Sequence, residues 1–158
     1  MRPDVAAMRV DDRRARVIAE AASWLRTPWH HRQRVKGVGV DCAQLLIAVY
    51  AAAGIIDDFD TGNYPRDWHL HRDEPRFLAV LKTHSTRVDG EPAPGDVAMF
   101  NFGRHAAHGA IVVSWPGIIH AYAQERGVVI SDAVADASLA RRFDSAWRLP
   151  GLADAGHA

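Results

Sequence analysis

Three residues in this chain have the types and spacing to carry nucleophilic chemistry: Cys42, His108 and His120. Cys42 is the single cysteine, and it opens the run Asp41-Cys42-Ala43-Gln44-Leu45-Leu46-Ile47-Ala48-Val49-Tyr50-Ala51-Ala52-Ala53-Gly54. The run is apolar nearly all round and reads as a buried helix. Asp41 is a good N-cap, Gln44 stands three residues later as in a capping box, and Gly54 suits the C′ position. Cys42 then falls at the first helical position. Orphan N–H groups and the positive end of the macrodipole there favour the nucleophilic thiolate. The competing reading of a lone cysteine is a small buried hydrophobe.

A thiolate nucleophile needs a base, and the base needs an orienting group. His108 begins the β-prone run His108-Gly109-Ala110-Ile111-Val112-Val113, and His120 sits within Gly117-Ile118-Ile119-His120-Ala121-Tyr122. Ser114-Trp115-Pro116-Gly117 between them suits a tight turn. A turn centred there sets the two imidazoles roughly opposite each other, on one face of an antiparallel pair. Singly, each is one of nine histidines that happens to lie on a strand. Together with a helix-start cysteine they form a more specific set.

The elements that must position these residues follow from periodicity and punctuation. Residues 11–25 carry Val17, Ile18, Ala21, Ala22 and Leu25 at helical spacing, up to the break at Thr27-Pro28. A basic loop with Arg32, Arg34 and Lys36 leads into the Cys42 helix. Residues 57–75 read as a long surface loop, with a shorter helix from Glu74 to about Thr83. Pro92-Ala93-Pro94-Gly95-Asp96 marks a turn. Strands are expected at Val97–Phe102, His108–Ser114, Ile118–Tyr122, Val128–Ser131 and Ala146–Leu149. Helices first and antiparallel strands second make an α+β fold, with N-terminal helices packed on a C-terminal sheet.

Composition bounds the alternatives. The chain has 158 residues, and Lys plus Arg equals Asp plus Glu at 19 each. That length suits one domain. Residues 1–10 read as an N-terminal tail, 11–150 as the domain and 151–158 as a flexible C-terminal tail. Zero net charge argues against nucleic-acid binding by bulk electrostatics. One cysteine excludes an internal disulfide and any zinc site needing two thiolates. No apolar run is long enough to cross a membrane, and charges interrupt the N-terminus before a signal-peptide core can form. Synthesis in the cytoplasm is therefore expected.

Three local patterns make the chain resemble the NlpC-type bacterial cell-wall cysteine peptidases, which have a papain-like fold. They are Gly39-Val40-Asp41-Cys42-Ala43-Gln44-Leu45, then Ala93-Pro94-Gly95-Asp96-Val97-Ala98-Met99-Phe100, then His108-Gly109-Ala110-Ile111-Val112 with Ile119-His120-Ala121. The resemblance spans roughly residues 19–150. It implies Cys42 as nucleophile, His108 as general base and His120 as third polar residue, with no cofactor and no metal. It implies peptidoglycan stem peptide as substrate, cut at the γ-linked bond of D-glutamate. Family members commonly carry Pro-Tyr upstream of the cysteine, where this chain has Thr27-Pro28-Trp29. Indole nitrogen donates but cannot accept a hydrogen bond, so the tyrosine's place falls to Trp29 or to Tyr64. Asp41 and Arg34 complete the candidate substrate contacts, the basic loop otherwise reading as ordinary solvated charge. The loop Tyr64-Pro65-Arg66-Asp67-Trp68-His69 looks most like the phage-encoded and gene-transfer-particle branch. That likeness implies tail or tail-like particle proteins as partners, and delivery to the periplasm or wall with the particle.

In the implied mechanism the Cys42 thiolate attacks an amide carbonyl and His108 shuttles the proton. His120 fixes the His108 tautomer, and the Cys42 backbone N–H helps hold the oxyanion. An ion-pair form of this chemistry predicts a bell-shaped pH profile whose limbs report cysteine and histidine coupled together. Rival readings are a metal site built from His30-His31, His69-x-His71 or His105-x-x-His108, an acyltransferase or amidase on the same fold, and a non-catalytic tail or wall-binding module. Trp24 and Trp147 are assigned to the core, while Trp29 and Trp68 stay open between packing and a substrate groove.

Overall fold

The computed structural model describes residues 8–56, 81–103 and 105–153. Helix α1 covers Val10–Ser23. A two-stranded antiparallel hairpin, β1 (Arg34–Val35) with β2 (Gly39–Val40), leads into α2 (Cys42–Ala52). Residues 81–84 are helical; the rest of the helix expected from Glu74 lies outside the described residues, as do the 57–75 loop and Tyr64. The remaining strands are β3 (Thr86–Arg87), β4 (Val97–Phe102), β5 (His105–Ser114), β6 (Gly117–Tyr122), β7 (Gly127–Asp132) and β8 (Phe143–Arg148). They form one six-stranded sheet in the order β3-β8-β4-β5-β6-β7, antiparallel throughout.

The α+β reading therefore holds, with one departure from helices first and strands second. Helix α3 (Ala137–Arg142) interrupts the strands, capped by Asp136 accepting from the Ser138 and Leu139 N–H groups. Six residues are too few for a periodic signal, and only Leu139 is buried. Leu152 is fully buried in the core, and the Gly151 and Leu152 carbonyls accept from Arg13 and Arg14 of α1. The chain is fastened to α1 as far as Leu152.

Alternation along the strands splits the core between the two faces of the sheet. Val97, Met99, Ile111, Ile119 and Ala121 pack with Leu45, Leu46 and Val49 of α2 and with Val17 and Ala21 of α1. The other face carries Ala98, Phe100, Ala110, Val112, Ile118 and Tyr122, and Leu139 of α3 packs there. The Pro-Gly-Asp turn ties these layers together. Asp96 is fully buried. It takes a bidentate bond from Arg148 of β8 (Nε to Oδ1 3.0 Å, Nη2 to Oδ2 2.9 Å), an ion pair from Arg14 of α1 at 3.4 Å, and the Ala93 N–H at 2.8 Å. One residue earlier, the Gly95 carbonyl accepts from the Tyr50 hydroxyl of α2 at 2.7 Å. Burial first, then the nearby Asp96 charge, raise the Tyr50 pKa well above its ordinary value, so this donor stays protonated.

Candidate active site

Helix α2 starts where its sequence signals place it. Asp41 Oδ1 accepts from the Gln44 N–H at 2.9 Å, so Cys42 is the first helical residue. The other end closes with Gly54 at φ 78°. The Gly54 N–H bonds the Ala51 carbonyl and the Ile55 N–H bonds that of Tyr50, a Schellman stop. The second oxygen of Asp41 accepts from the Arg32 N–H at 2.8 Å. Asp41 is thus a clamp between its helix and the preceding loop. The Cys42 side chain is nearly buried.

The two histidines are in direct contact. His108 Nε2 lies 2.7 Å from His120 Nδ1. The register between β5 and β6 pairs Ile111 with Ile119 and Val112 with Ile118, and then shifts towards the Ser114–Gly117 turn. Continued by one residue, it sets His120 beside Ala110, two positions from His108. The pair is therefore diagonal, where a turn centred on Ser114 suggested residues directly opposite. A two-residue offset keeps the face, because strand side chains repeat every second residue.

Both imidazoles are buried against aromatic rings. Tyr122 stacks on His120 at 4.6 Å between centroids, and Phe102 meets His108 edge-on at 5.3 Å. Loss of water here disfavours the charged form. Burial, with a smaller contribution from neighbouring His120, lowers His108 from 6.5 to about 3, and burial lowers His120 to about 4. The fold by itself therefore favours a neutral imidazole at 108, a proton acceptor, over the permanent imidazolium of an ion-pair resting state.

The start of α2 is anchored at the same end of the sheet. The Val40 N–H donates to the Pro28 carbonyl and the His30 N–H to the Val40 carbonyl. Pro28 in turn bridges Gly127 at the start of β7, and the Trp29 N–H donates to the Arg126 carbonyl at 2.9 Å. Gly127 pairs with Tyr122 across β6 and β7, and the Tyr122 ring lies 5.7 Å from that of His108. The segment two residues ahead of Cys42 is thus fastened to the row of the sheet that holds Tyr122 and His108. Trp29 is half-buried, packs against the core and stacks on His31 at 6.2 Å. Arg34 is exposed on β1, across from Val40. Lys36 is turned away from the site, bonded to Glu20 and Ser23 of α1 and lying over the Trp24 ring.

Ser131 and Tyr122 were not singled out from the sequence. Ser131 Oγ lies 2.8 Å from His120 Nε2 and extends the chain of polar groups to three strands. A lone serine on an edge strand gives no local signal. Tyr122 is adjacent to Ala121 in the expected strand, but only the register sets it against both imidazoles. Among the described residues, no three His, Cys, Asp or Glu side chains gather as a metal site would require; His69 and His71 lie outside those residues.

No protein-family model and no curated protein matches the chain by sequence. Solved structures do match. An NlpC/P60 family protein from Bacillus cereus superposes on 86% of the chain with a TM-score of 0.64 at 21% identity. The chain has the NlpC/P60 fold. The NlpC/p60 domain of the peptidoglycan hydrolase SagA matches 84% of the chain at 19% identity and a TM-score of 0.59, and 96% of that domain is covered. The peptidoglycan hydrolase RipB from Mycobacterium tuberculosis matches 94% of the chain at 16% identity and a TM-score of 0.58, with 71% of its own length covered. The chain spans only 40% of the Bacillus cereus protein, so there the NlpC/P60 fold is one part of a longer protein.

Proposed function

We propose that this chain is a cysteine peptidase that hydrolyses amide bonds in peptidoglycan stem peptides, at the γ-D-glutamyl linkage. The observation that carries the reading is the anchoring of the Cys42 helix start at the row of the sheet occupied by Tyr122 and His108. The NlpC/P60 fold of proteins described as peptidoglycan hydrolases supports the substrate class.

His108 engages His120 through Nε2, which leaves Nδ1 as the nitrogen for the thiol. His108 Nδ1 accepts the Cys42 proton as sulfur attacks the carbonyl carbon, and it returns that proton to the departing amine. The Cys42 N–H, in the first turn of α2, is the donor assigned to the developing oxyanion. Water then hydrolyses the thioester, with His108 again as base. Arg34 on the exposed strand β1 is the candidate contact for a stem-peptide carboxylate, and Trp29 replaces the tyrosine common in the family. Delivery by a phage tail or tail-like particle is the accompanying proposal for partner and localisation. It rests on the likeness of residues 64–69 and is tested by co-purification with such particles.

Mass spectrometry of wall digests with wild type and Cys42→Ala side by side tests the chemistry. Release of stem-peptide fragments should fall by on the order of 10⁴-fold or more in the variant. Undiminished release by Cys42→Ala would overturn the reading.

A further inference from the structure

The geometry points to Ser131 as a positioning residue that selects the tautomer of His120, and through it keeps His108 Nδ1 able to accept a proton. This rests on the peptidase reading of Cys42 and His108.

The argument begins with register. His120 pairs with Val129 of β7, so Ser131 lies two residues along on the same face. His108 stands two residues from the partner of His120 in the opposite direction. The three side chains form a straight diagonal across β5, β6 and β7, with contacts of 2.7 Å and 2.8 Å.

A chain of two neutral imidazoles and a hydroxyl can be polarised in two senses. In one, His108 Nε2–H donates to His120 Nδ1, and His120 Nε2–H donates to Ser131 Oγ. His108 Nδ1 then holds a lone pair. In the other, Ser131 donates to His120 Nε2 and His120 Nδ1–H donates to His108 Nε2. His108 Nδ1 then already carries a proton and cannot act as base. The first sense is also the one that survives proton uptake by His108, since an imidazolium needs an acceptor at His120 Nδ1. His120 is fully buried and Ser131 half-buried, so an acceptor for His120 Nε2–H has to be built in, and Ser131 Oγ is that group. The neighbours of Ser131 along β7 are Ile130 and Asp132, whose side chains alternate to the other face.

Long-range ¹⁵N–¹H spectra of histidine-labelled protein at neutral pH read the tautomer directly. In wild type His120 should be protonated at Nε2 and bare at Nδ1, and protonation at Nδ1 overturns the proposal. Ser131→Ala should mix the two tautomers and slow iodoacetamide labelling of Cys42 by roughly tenfold. Ser131→Thr, which keeps the hydroxyl, should restore both readouts to within about twofold. A Ser131→Ala protein with wild-type tautomer and labelling rate overturns the proposal. If that variant does not fold, the wild-type spectrum decides alone. Wild-type protein that cuts no wall peptide removes the peptidase reading, while the spectrum still tests Ser131.

Discussion

At the scale of single residues, burial of His108 and His120 has a measurable cost in acid. Above pH 6.5 both imidazoles are neutral in the folded and unfolded chain, and their contribution to stability is flat. Below it the unfolded chain binds protons that the fold refuses, down to the folded values of about 4 and 3. Stability therefore falls with pH, by up to about 1.4 kcal/mol per unit for each group. Urea unfolding at pH 7 and pH 5 should show this loss in wild type. It should be largely absent in the double variant His108→Gln, His120→Gln; equal losses in the two proteins would contradict the account. The same burial sets the activity profile. In the proposed mechanism His108 has to be neutral to take the thiol proton, so the acid limb of kcat/KM should lie below 6.5, the ordinary histidine value. A limb at 6.5 or higher would mean that a charged partner outweighs the desolvation seen here.

At the scale of elements, α2 depends on a cap with two duties. Asp41 satisfies the Gln44 N–H of the helix and the Arg32 N–H of the preceding loop. Replacing an N-cap of this kind by alanine costs about 1 kcal/mol, and the second bond adds to it. Asp41→Ala should lower stability by about 1–2 kcal/mol in urea unfolding. Asp41→Asn, which keeps an acceptor oxygen, should lose less than half of that. Much of this element was legible in the sequence, because a cap, an apolar run and a C′ glycine act within a few residues of each other. Helix α3 was not, since six residues with one buried leucine carry no period. The β1–β2 hairpin escaped for the same reason, being two residues per strand and held by the loop around it.

At the scale of the whole molecule, the Pro-Gly-Asp turn is a junction for distant parts of the chain. Asp96 gathers Arg14 from α1 and Arg148 from β8 with almost no access to water. Removing one partner of a buried ion pair leaves uncompensated charge, at about 3–5 kcal/mol. Asp96→Ala should lower the urea midpoint accordingly with an unchanged m-value, and a change below about 1 kcal/mol would show the junction to be dispensable. Docking of the α2 entry is the second global feature. A Cβ at Gly127 would come within 2.9 Å of the Thr27 carbonyl oxygen, a backbone atom that cannot step aside alone. Gly127→Ala should therefore slow Cys42 labelling and wall cleavage more than it reduces stability, since it lifts the Thr27–Trp29 segment off β7.

By itself the sequence determined which groups can do chemistry and which elements carry them. The Asp-Cys helix start, the histidine-bearing strands and the turn between them are all written in local signals. Tertiary structure decided the relations among them: the two-residue offset between His108 and His120, the extension of their chain to Ser131, and the seating of the Cys42 segment against Gly127. Caps and turns are settled by neighbours along the chain. Register and docking are settled by packing between residues far apart in it, with twelve positions from His108 to His120 and eleven more to Ser131, and no local pattern encodes which of several face-preserving offsets packs best.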